Sequence, residues 1–168
     1  MIRLLLLGPS GAGKSTLSQM LAPDLKSRHL DLDQHLQQQR PQQLLAETLR
    51  RQGPQAFYQS SCQALQTLHA KPVSYLADIG AGTQWSAQGQ THFLQLAPSL
   101  CLWAEPRWLW LRNQQLRQDP RSLTAFQETE YSPWRQQLYR SCTYWLDGTH
   151  KTPQELLHSV QQLLADWV

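Results

Sequence analysis

Long apolar stretches are missing from this chain: no run approaches the ~18 residues that a membrane-spanning helix requires, so such a span is excluded. Charge is also sparse. Charged residues make up 16% of the chain, against roughly 25% in an average soluble domain. The net charge of +3 is too mild to demand nucleic acid or a membrane surface as partner. Cysteine is scarce and odd in number. Cys62, Cys101 and Cys142 lie far apart without metal-ligand spacing, which argues against a disulfide frame and for free thiols in a reducing compartment. The six histidines are scattered too, so no zinc site is expected. Lysine is rare, 4 residues against 11 arginines, and polarity comes mostly from 25 glutamines. At 168 residues the chain has the length of one domain with one real core.

The opening Met1-Ile-Arg-Leu-Leu-Leu-Leu-Gly8 has the charge order of a signal peptide. Its apolar part is shorter than the usual ~7–15 residues, and no small-residue cleavage site follows. A short apolar run before a glycine turn reads instead as a central parallel strand buried on both faces, in a cytoplasmic protein.

Gly8-Pro-Ser-Gly-Ala-Gly-Lys14-Ser15-Thr16 then fits the P-loop pattern at every fixed position. Glycines let the backbone wrap a phosphate chain with successive N–H groups pointing inward. A helix starting near Lys14 adds its positive end. Lys14 is expected to reach the β- and γ-phosphates, and the Ser15 hydroxyl to ligate Mg²⁺. The expected ATP contacts are Gly11, Ala12, Gly13, Lys14, Ser15 and Thr16. An amphipathic run (Leu17, Met20, Leu21) follows, so the motif has the strand-loop-helix context it needs.

Beyond the motif, strands are expected at 29–31, 73–77, 100–104 and 143–147. Helices are expected from 36 to 51 (interrupted at Pro41), 54–68, 106–116, 131–142 and 153–167. The polar stretch 117–130 reads as a mobile lid, and 83–99 as loop with a short helix around 92–96. Alternating strands and helices predict a three-layer α/β fold around a five-stranded parallel sheet, one domain over 1–168. Ligands in such folds gather at the strand C-terminal ends. Asp31 and Asp33 stand at one such end and Asp78 to Gly82 at another. In extended chain, residues two apart project to the same side. One aspartate would then hold a Mg²⁺-bound water and the other accept a hydrogen bond or proton from an attacking hydroxyl. Asp33 as cap of the next helix is the competing reading. Asp78, ending an apolar strand, is a candidate second carboxylate at the metal.

With these residues in place the sequence resembles the shikimate kinase family over nearly its whole length. Gly8–Thr16 is similar to the family P-loop, and Leu30-Asp-Leu-Asp33 to its Asp-x-Asp element. Gly53-Pro-Gln-Ala-Phe57 is similar to the start of the acceptor-binding helix, and Gly80-Ala-Gly82 to the family's Gly-Gly-Gly. Arg112 resembles the arginine packed near adenine. Arg121-Ser-Leu123 resembles the lid's Arg-Pro-Leu, and Arg135-Gln-Gln-Leu-Tyr139 the Arg-x-Pro-Leu-Tyr run. The resemblance implies an ATP- and Mg²⁺-dependent kinase of a small carboxylate-bearing metabolite, shikimate or an altered acceptor. Residues 33–70 would form its acceptor-binding helices and 113–130 its lid. It implies that Asp31 holds Mg²⁺ through water and that Asp33 binds the acceptor hydroxyl. Lys14 and Arg121 would neutralise the transferring phosphoryl group, Arg135 would grip a carboxylate, and Gly80, Ala81 and Gly82 would line the acceptor pocket.

Four positions depart from the family pattern: Tyr58 replaces an arginine, Ser61 a glutamate, Ala81 a glycine and Ser122 a proline. Three of them concern the acceptor rather than ATP. A hydrogen bond to a charged group contributes about 1.5–3 kcal/mol, so loss of one carboxylate arginine weakens shikimate binding roughly ten- to hundredfold. Two further readings therefore stay open, a nucleoside or nucleotide kinase and a non-catalytic ATP-binding regulatory module. The expected chain is a monomer or weak dimer with a small-molecule acceptor.

Overall fold

A computed structural model describes residues 1–39 and 45–165. Its centre is β1 (Arg3–Leu7), and the composition of that strand explains why. Leu4, Leu5, Leu6 and Leu7 are all fully buried, so neither face can meet solvent. Leu4 and Leu6 join one core and Leu5 and Leu7 the other, the alternation of a strand covered on both sides. Five parallel strands form one sheet in the order β2-β3-β1-β4-β5, with β2 (Arg28–Asp31), β3 (Tyr75–Asp78), β4 (Ser99–Trp103) and β5 (Tyr144–Asp147). The α/β class and strand count match the sequence expectation. β5, at an edge, alternates half-buried and exposed positions.

Helices pack on both faces. Helices α1 (Lys14–Asp24), α5 (Pro106–Arg117), α6 (Leu123–Glu130) and α8 (Pro153–Leu163) contribute side chains to the first core. Helices α2 (Leu32–Gln39), α3 (Leu45–His69), α4 (Ala81–Ala87) and α7 (Pro133–Arg140) contribute to the second. Gly53 leaves helical geometry inside α3, with φ 80° and ψ 167°, so the break expected at Gly53-Pro54 is a kink between two helical stretches. The expected interruption at Pro41 lies outside the described residues.

Three differences from the sequence reading bear on the site. First, α2 starts at Leu32, directly after β2, so Asp33 lies in a helix and not in extended chain. Second, residues 81–87 are helical where a loop was expected, with Gly80 before the first turn. Third, the polar lid contains α6, whose N-cap is Ser122: its hydroxyl accepts from Ala125 N at 3.2 Å. The departure from the family's proline at this position therefore carries a helix start. In α5, Glu105 caps by accepting from Arg107 N and Trp108 N, with Pro106 in the first turn; this settles the 106–116 stretch as helix despite its strand-like alternation.

Candidate active site

The loop between β1 and α1 is shaped by glycines that other residues would block. Gly8 has φ 136°, and a Cβ there would overlap the Leu102 carbonyl on β4. Gly13 occupies the α1 N-cap in left-handed geometry with no side-chain cap, leaving the first N–H groups of the helix facing the loop. The Lys14 ammonium folds back and donates to the carbonyls of Gly8 at 2.8 Å and Pro9 at 3.0 Å. Burial lowers its pKa, against the pull of Glu130 and Asp78 toward the charged form.

A cavity of about 420 Å³ opens over this loop. Gly11, Gly13, Lys14, Ser15 and Thr16 line one end, with Arg112 and Arg117 from α5; Asp31, Asp33, Gly80 and Ala81 line the other. The Ala12 methyl is buried in the first core, and its N–H donates to Pro9 O at 3.3 Å. The Arg112 guanidinium lies over the Trp108 ring, 5.5 Å from its centroid.

The two aspartates meet at the cavity by a different route from the one the spacing suggested. Asp31 ends β2, and its Oδ1 accepts from Gln34 N at 3.0 Å, so Asp31 and not Asp33 serves the start of α2. Asp33 is thereby freed. Its Oδ1 is buried with no hydrogen-bond partner, and its carboxylate fills the space that a Cβ on Gly80 would need. Burial raises the Asp33 pKa and neighbouring Asp31 adds to the rise, while the Gly82 N–H, Lys14 and the Thr83 hydroxyl oppose it. Gly82 does not line the cavity; it lies against Phe57. Gln84 ties the two ends together, donating to Ile79 O at 2.6 Å and accepting from Gly8 N at 3.4 Å.

Asp78 ends β3 and is buried; its Oδ2 is 3.0 Å from His29 Nε2, its Oδ1 has no hydrogen-bond partner, and its charge is felt by Lys14. Ser15 and Asp31 remain on the wall as oxygen donors. Among the described residues no cluster of three or more His, Cys, Asp or Glu stands ready to hold a metal. Two oxygen donors beside a phosphate cradle fit Mg²⁺, which keeps several waters and takes phosphate oxygens.

Arg121 and Arg135 are both held by a residue that sequence reasoning missed. Glu130, at the end of α6, receives the Arg135 Nη1 at 2.5 Å on Oε2 and the Arg121 Nη1 at 2.9 Å on Oε1. Its Oε2 also accepts from the P-loop amide of Ser10 at 3.0 Å. Arg121 holds Asp119 as well, Nη2 to Oδ2 at 2.6 Å. Arg135 reaches the acceptor loop through its other nitrogen, Nη2 donating to Ala81 O at 3.2 Å. Neither arginine lines the cavity, and Arg135 is 2% exposed. Burial on its own would raise the Glu130 pKa; Arg135, the Ser10 N–H and Arg121 outweigh it and hold the carboxyl below its ordinary value. Asn113, one residue past Arg112, was missed too: it lines the cavity and donates to Ser10 O at 3.0 Å.

The departures from the family pattern in α3 face inward. The Tyr58 hydroxyl is 3.3 Å from His92 Nδ1, and its ring meets the imidazole edge-on. Ser61 Oγ donates to Phe57 O at 3.0 Å and lies 3.0 Å from Thr83 Oγ1.

Comparison with known proteins agrees with this geometry. The family model described as shikimate kinase matches residues 10–165. The chain belongs to the shikimate kinase family. These are ATP-dependent kinases. "Shikimate kinase 2" of Photorhabdus laumondii is 27% identical over 170 residues, covering 96% of this chain and 94% of that one. A solved shikimate kinase from Bacteroides thetaiotaomicron shares the fold with a TM-score of 0.80 at 19% identity, over 99% of this chain and 98% of that one. A shikimate kinase from Acinetobacter baumannii, solved in complex with shikimate, gives 0.75 at 21% identity, over 99% and 94%.

Proposed function

We propose that this chain transfers the γ-phosphoryl group of Mg²⁺-bound ATP to a hydroxyl of a small polyhydroxylated metabolite with the ring size and hydroxyl array of shikimate. The observation that carries this reading is Asp33: a half-buried carboxylate with one buried, unpartnered oxygen, sharing one cavity with the P-loop lysine. An acceptor hydroxyl donating to that oxygen would lie in line with phosphates in the loop. Lys14 would exchange its two carbonyl partners for phosphate oxygens, and the open N–H groups of α1 would hold the chain of phosphates. Ser15 and Asp31 would hold Mg²⁺, which draws charge off the phosphates. Arg112 supplies a planar cation beside the base, and Arg117 a further cation at the phosphate end. Residues 113–130 act as the lid, and closure brings Arg121 from Asp119 and Glu130 to the transferring group.

The carboxylate that the resemblance assigns to the acceptor rests on Arg135, whose guanidinium Glu130 already holds. One observation favours a second reading. With Arg121 and Arg135 both in ion pairs, the site also suits a regulatory module that binds ATP without an acceptor.

The test is ADP release from Mg²⁺-ATP with a panel of shikimate, quinate, gluconate, their neutral analogues, hydroxy amino acids and nucleosides. Stimulation by the cyclic or linear polyols is expected. Stimulation by nucleosides alone selects a nucleoside kinase, and ATP binding with no stimulation at all selects the regulatory module.

A further inference from the structure

Arg135 is 2% exposed, and a guanidinium so deep in the fold requires a counter-charge. Position 61 on α3, a glutamate in the family pattern, does not supply it. The serine there donates to Phe57 O and lies 3.0 Å from Thr83 Oγ1. The counter-charge comes instead from Glu130 at the end of α6, also 2% exposed. Its two oxygens have separate partners. Oε1 accepts from the lid arginine, Arg121, at 2.9 Å. Oε2 accepts from Arg135 Nη1 at 2.5 Å and from the amide of Ser10, a residue of the cavity wall, at 3.0 Å. Tyr139, one turn after Arg135 on α7, donates its hydroxyl to the Glu130 carbonyl at 3.3 Å and so anchors the Glu130 backbone too.

The Arg135 guanidinium is therefore held at three places. Glu130 holds Nη1, the Ala81 carbonyl holds Nη2 at 3.2 Å, and the Trp134 ring centroid lies 5.4 Å from the guanidinium carbon. Nε is buried and has no partner. A buried donor left unspent is costly, which marks it as a place for a ligand to bind. Ala81 lines the cavity, so the guanidinium adjoins its wall.

Resting on the kinase reading above and on the carboxylate grip that the family likeness gives Arg135, we infer that Glu130 is the positioning residue for that grip. It fixes Arg135 so that the free Nε is offered to the acceptor carboxylate. A guanidinium is a planar fork, so holding two of its nitrogens sets the direction of the third. Holding it in advance also spares the acceptor the cost of ordering a long side chain. The division between the two carboxylate oxygens has a further use: Arg121 can leave Oε1 for the transferring phosphoryl group while Arg135 keeps its partner on Oε2. Without Glu130, Arg135 retains only the neutral Ala81 carbonyl. A glutamine at 130 has one acceptor oxygen for three donors, and its amide nitrogen cannot accept from either guanidinium.

The experiment measures kcat and KM for shikimate and for its methyl ester in wild type, Glu130→Gln and Glu130→Asp. In wild type the acid is expected to exceed the ester in kcat/KM by about tenfold or more, the value of one charge-assisted hydrogen bond. Glu130→Gln should raise KM for the acid by a similar factor, more than it lowers kcat, and leave KM for the ester nearly unchanged. The acid-to-ester ratio then collapses. Glu130→Asp, which keeps the charge on a shorter arm, should restore part of it. A merely structural role would impair both acceptors together and leave the ratio unchanged, which overturns the inference. A ratio that rises in Glu130→Gln would make Glu130 a competitor of the acceptor for Arg135, which overturns it as well. A wild type with no preference for the acid overturns it while leaving the kinase intact. If neither acceptor is used although ATP binds, the kinase reading itself fails and the inference falls with it. Should neither variant fold, a wild-type crystal structure with shikimate bound decides: Glu130 still on Nη1 with the carboxylate on Nε is the expected result, and an Arg135 that has left Glu130 overturns it.

Discussion

Asp33 and Lys14 are the two side chains on which the proposed chemistry turns, and each has a separable consequence. Lys14 is the flexible cation inside the loop, parked on two backbone carbonyls. Lys14→Ala is expected to lower acceptor-dependent ADP release by at least about a hundredfold, the scale of one lost group at a developing anion. A variant that keeps wild-type turnover would remove the lysine from the mechanism. Asp33→Asn keeps size and loses the proton acceptor. Its acceptor-dependent turnover should fall about 10²- to 10⁴-fold, while the rise in melting temperature on adding Mg²⁺-ATP persists. Loss of the ATP-induced shift as well would place Asp33 on the nucleotide instead. The capping question also resolves at this scale. Asx-type capping serves α2, but the donor is Gln34 and the acceptor is Asp31, two residues earlier than the competing reading proposed. Spacing alone leaves the two aspartates equivalent; the point at which the strand turns into helix separates their roles.

Elements explain why the lid reads as loop in sequence yet carries a helix. The run Arg121-Ser-Leu-Thr-Ala-Phe-Gln-Glu-Thr-Glu130 has two large apolar residues, of which Phe126 is fully buried and Leu123 only partly. Two apolar residues in ten are too few to establish a periodicity. The local signal was the Ser122 cap, whose hydroxyl accepts from Ala125 N at 3.2 Å. Ser122→Ala should cost about 1 kcal/mol of α6 stability, seen as faster amide hydrogen exchange across 123–130 with the sheet unaffected. Unchanged exchange there would mean that Phe126 and the Glu130 ion pairs hold α6 without the cap. The strands were more legible than the lid. β1 is a continuous leucine run because both faces are covered, and its neighbours β3 and β4 are likewise buried. Short α4 was missed because Ala81–Ala87 holds seven residues with few large apolar ones, and its burial comes from packing against α3.

For the whole molecule, the cluster centred on Glu130 couples pH to stability. The Glu130 pKa is lowered on folding, so the unfolded chain binds more protons than the folded one between the two values, and stability rises with pH across that window. The contribution is complete above the unfolded glutamate's pKa and is lost as pH falls through the lowered folded value. Denaturant midpoints from about pH 2 to 7 should therefore show an acid limb in wild type that is shallower in Glu130→Gln. The variant should also be less stable at neutral pH by roughly 3–5 kcal/mol, the cost of breaking a buried pair from one side. Equal acid limbs in the two proteins would show that Glu130 is not the group responsible. The arginine excess noted in the composition also finds its meaning at this scale. Arg112 and Arg117 line the cavity, whereas Arg121 and Arg135 form ion pairs with carboxylates of the chain itself. Composition counts charges but cannot say which are already neutralised.

By itself the sequence determined the phosphate end: a leucine strand, a glycine loop, a lysine and a hydroxyl within fifteen residues, all short-range features whose geometry follows from local backbone chemistry. It also determined the α/β class, through alternating periodicities. The acceptor end was decided only in the tertiary structure. Ser10 meets Glu130 across 120 residues, Arg135 meets Ala81 across 54, and His29 takes Asp78 across 49. No local pattern encodes such meetings, because a carboxylate's partner is chosen by which elements the sheet order brings side by side and by the cost of burying either charge alone.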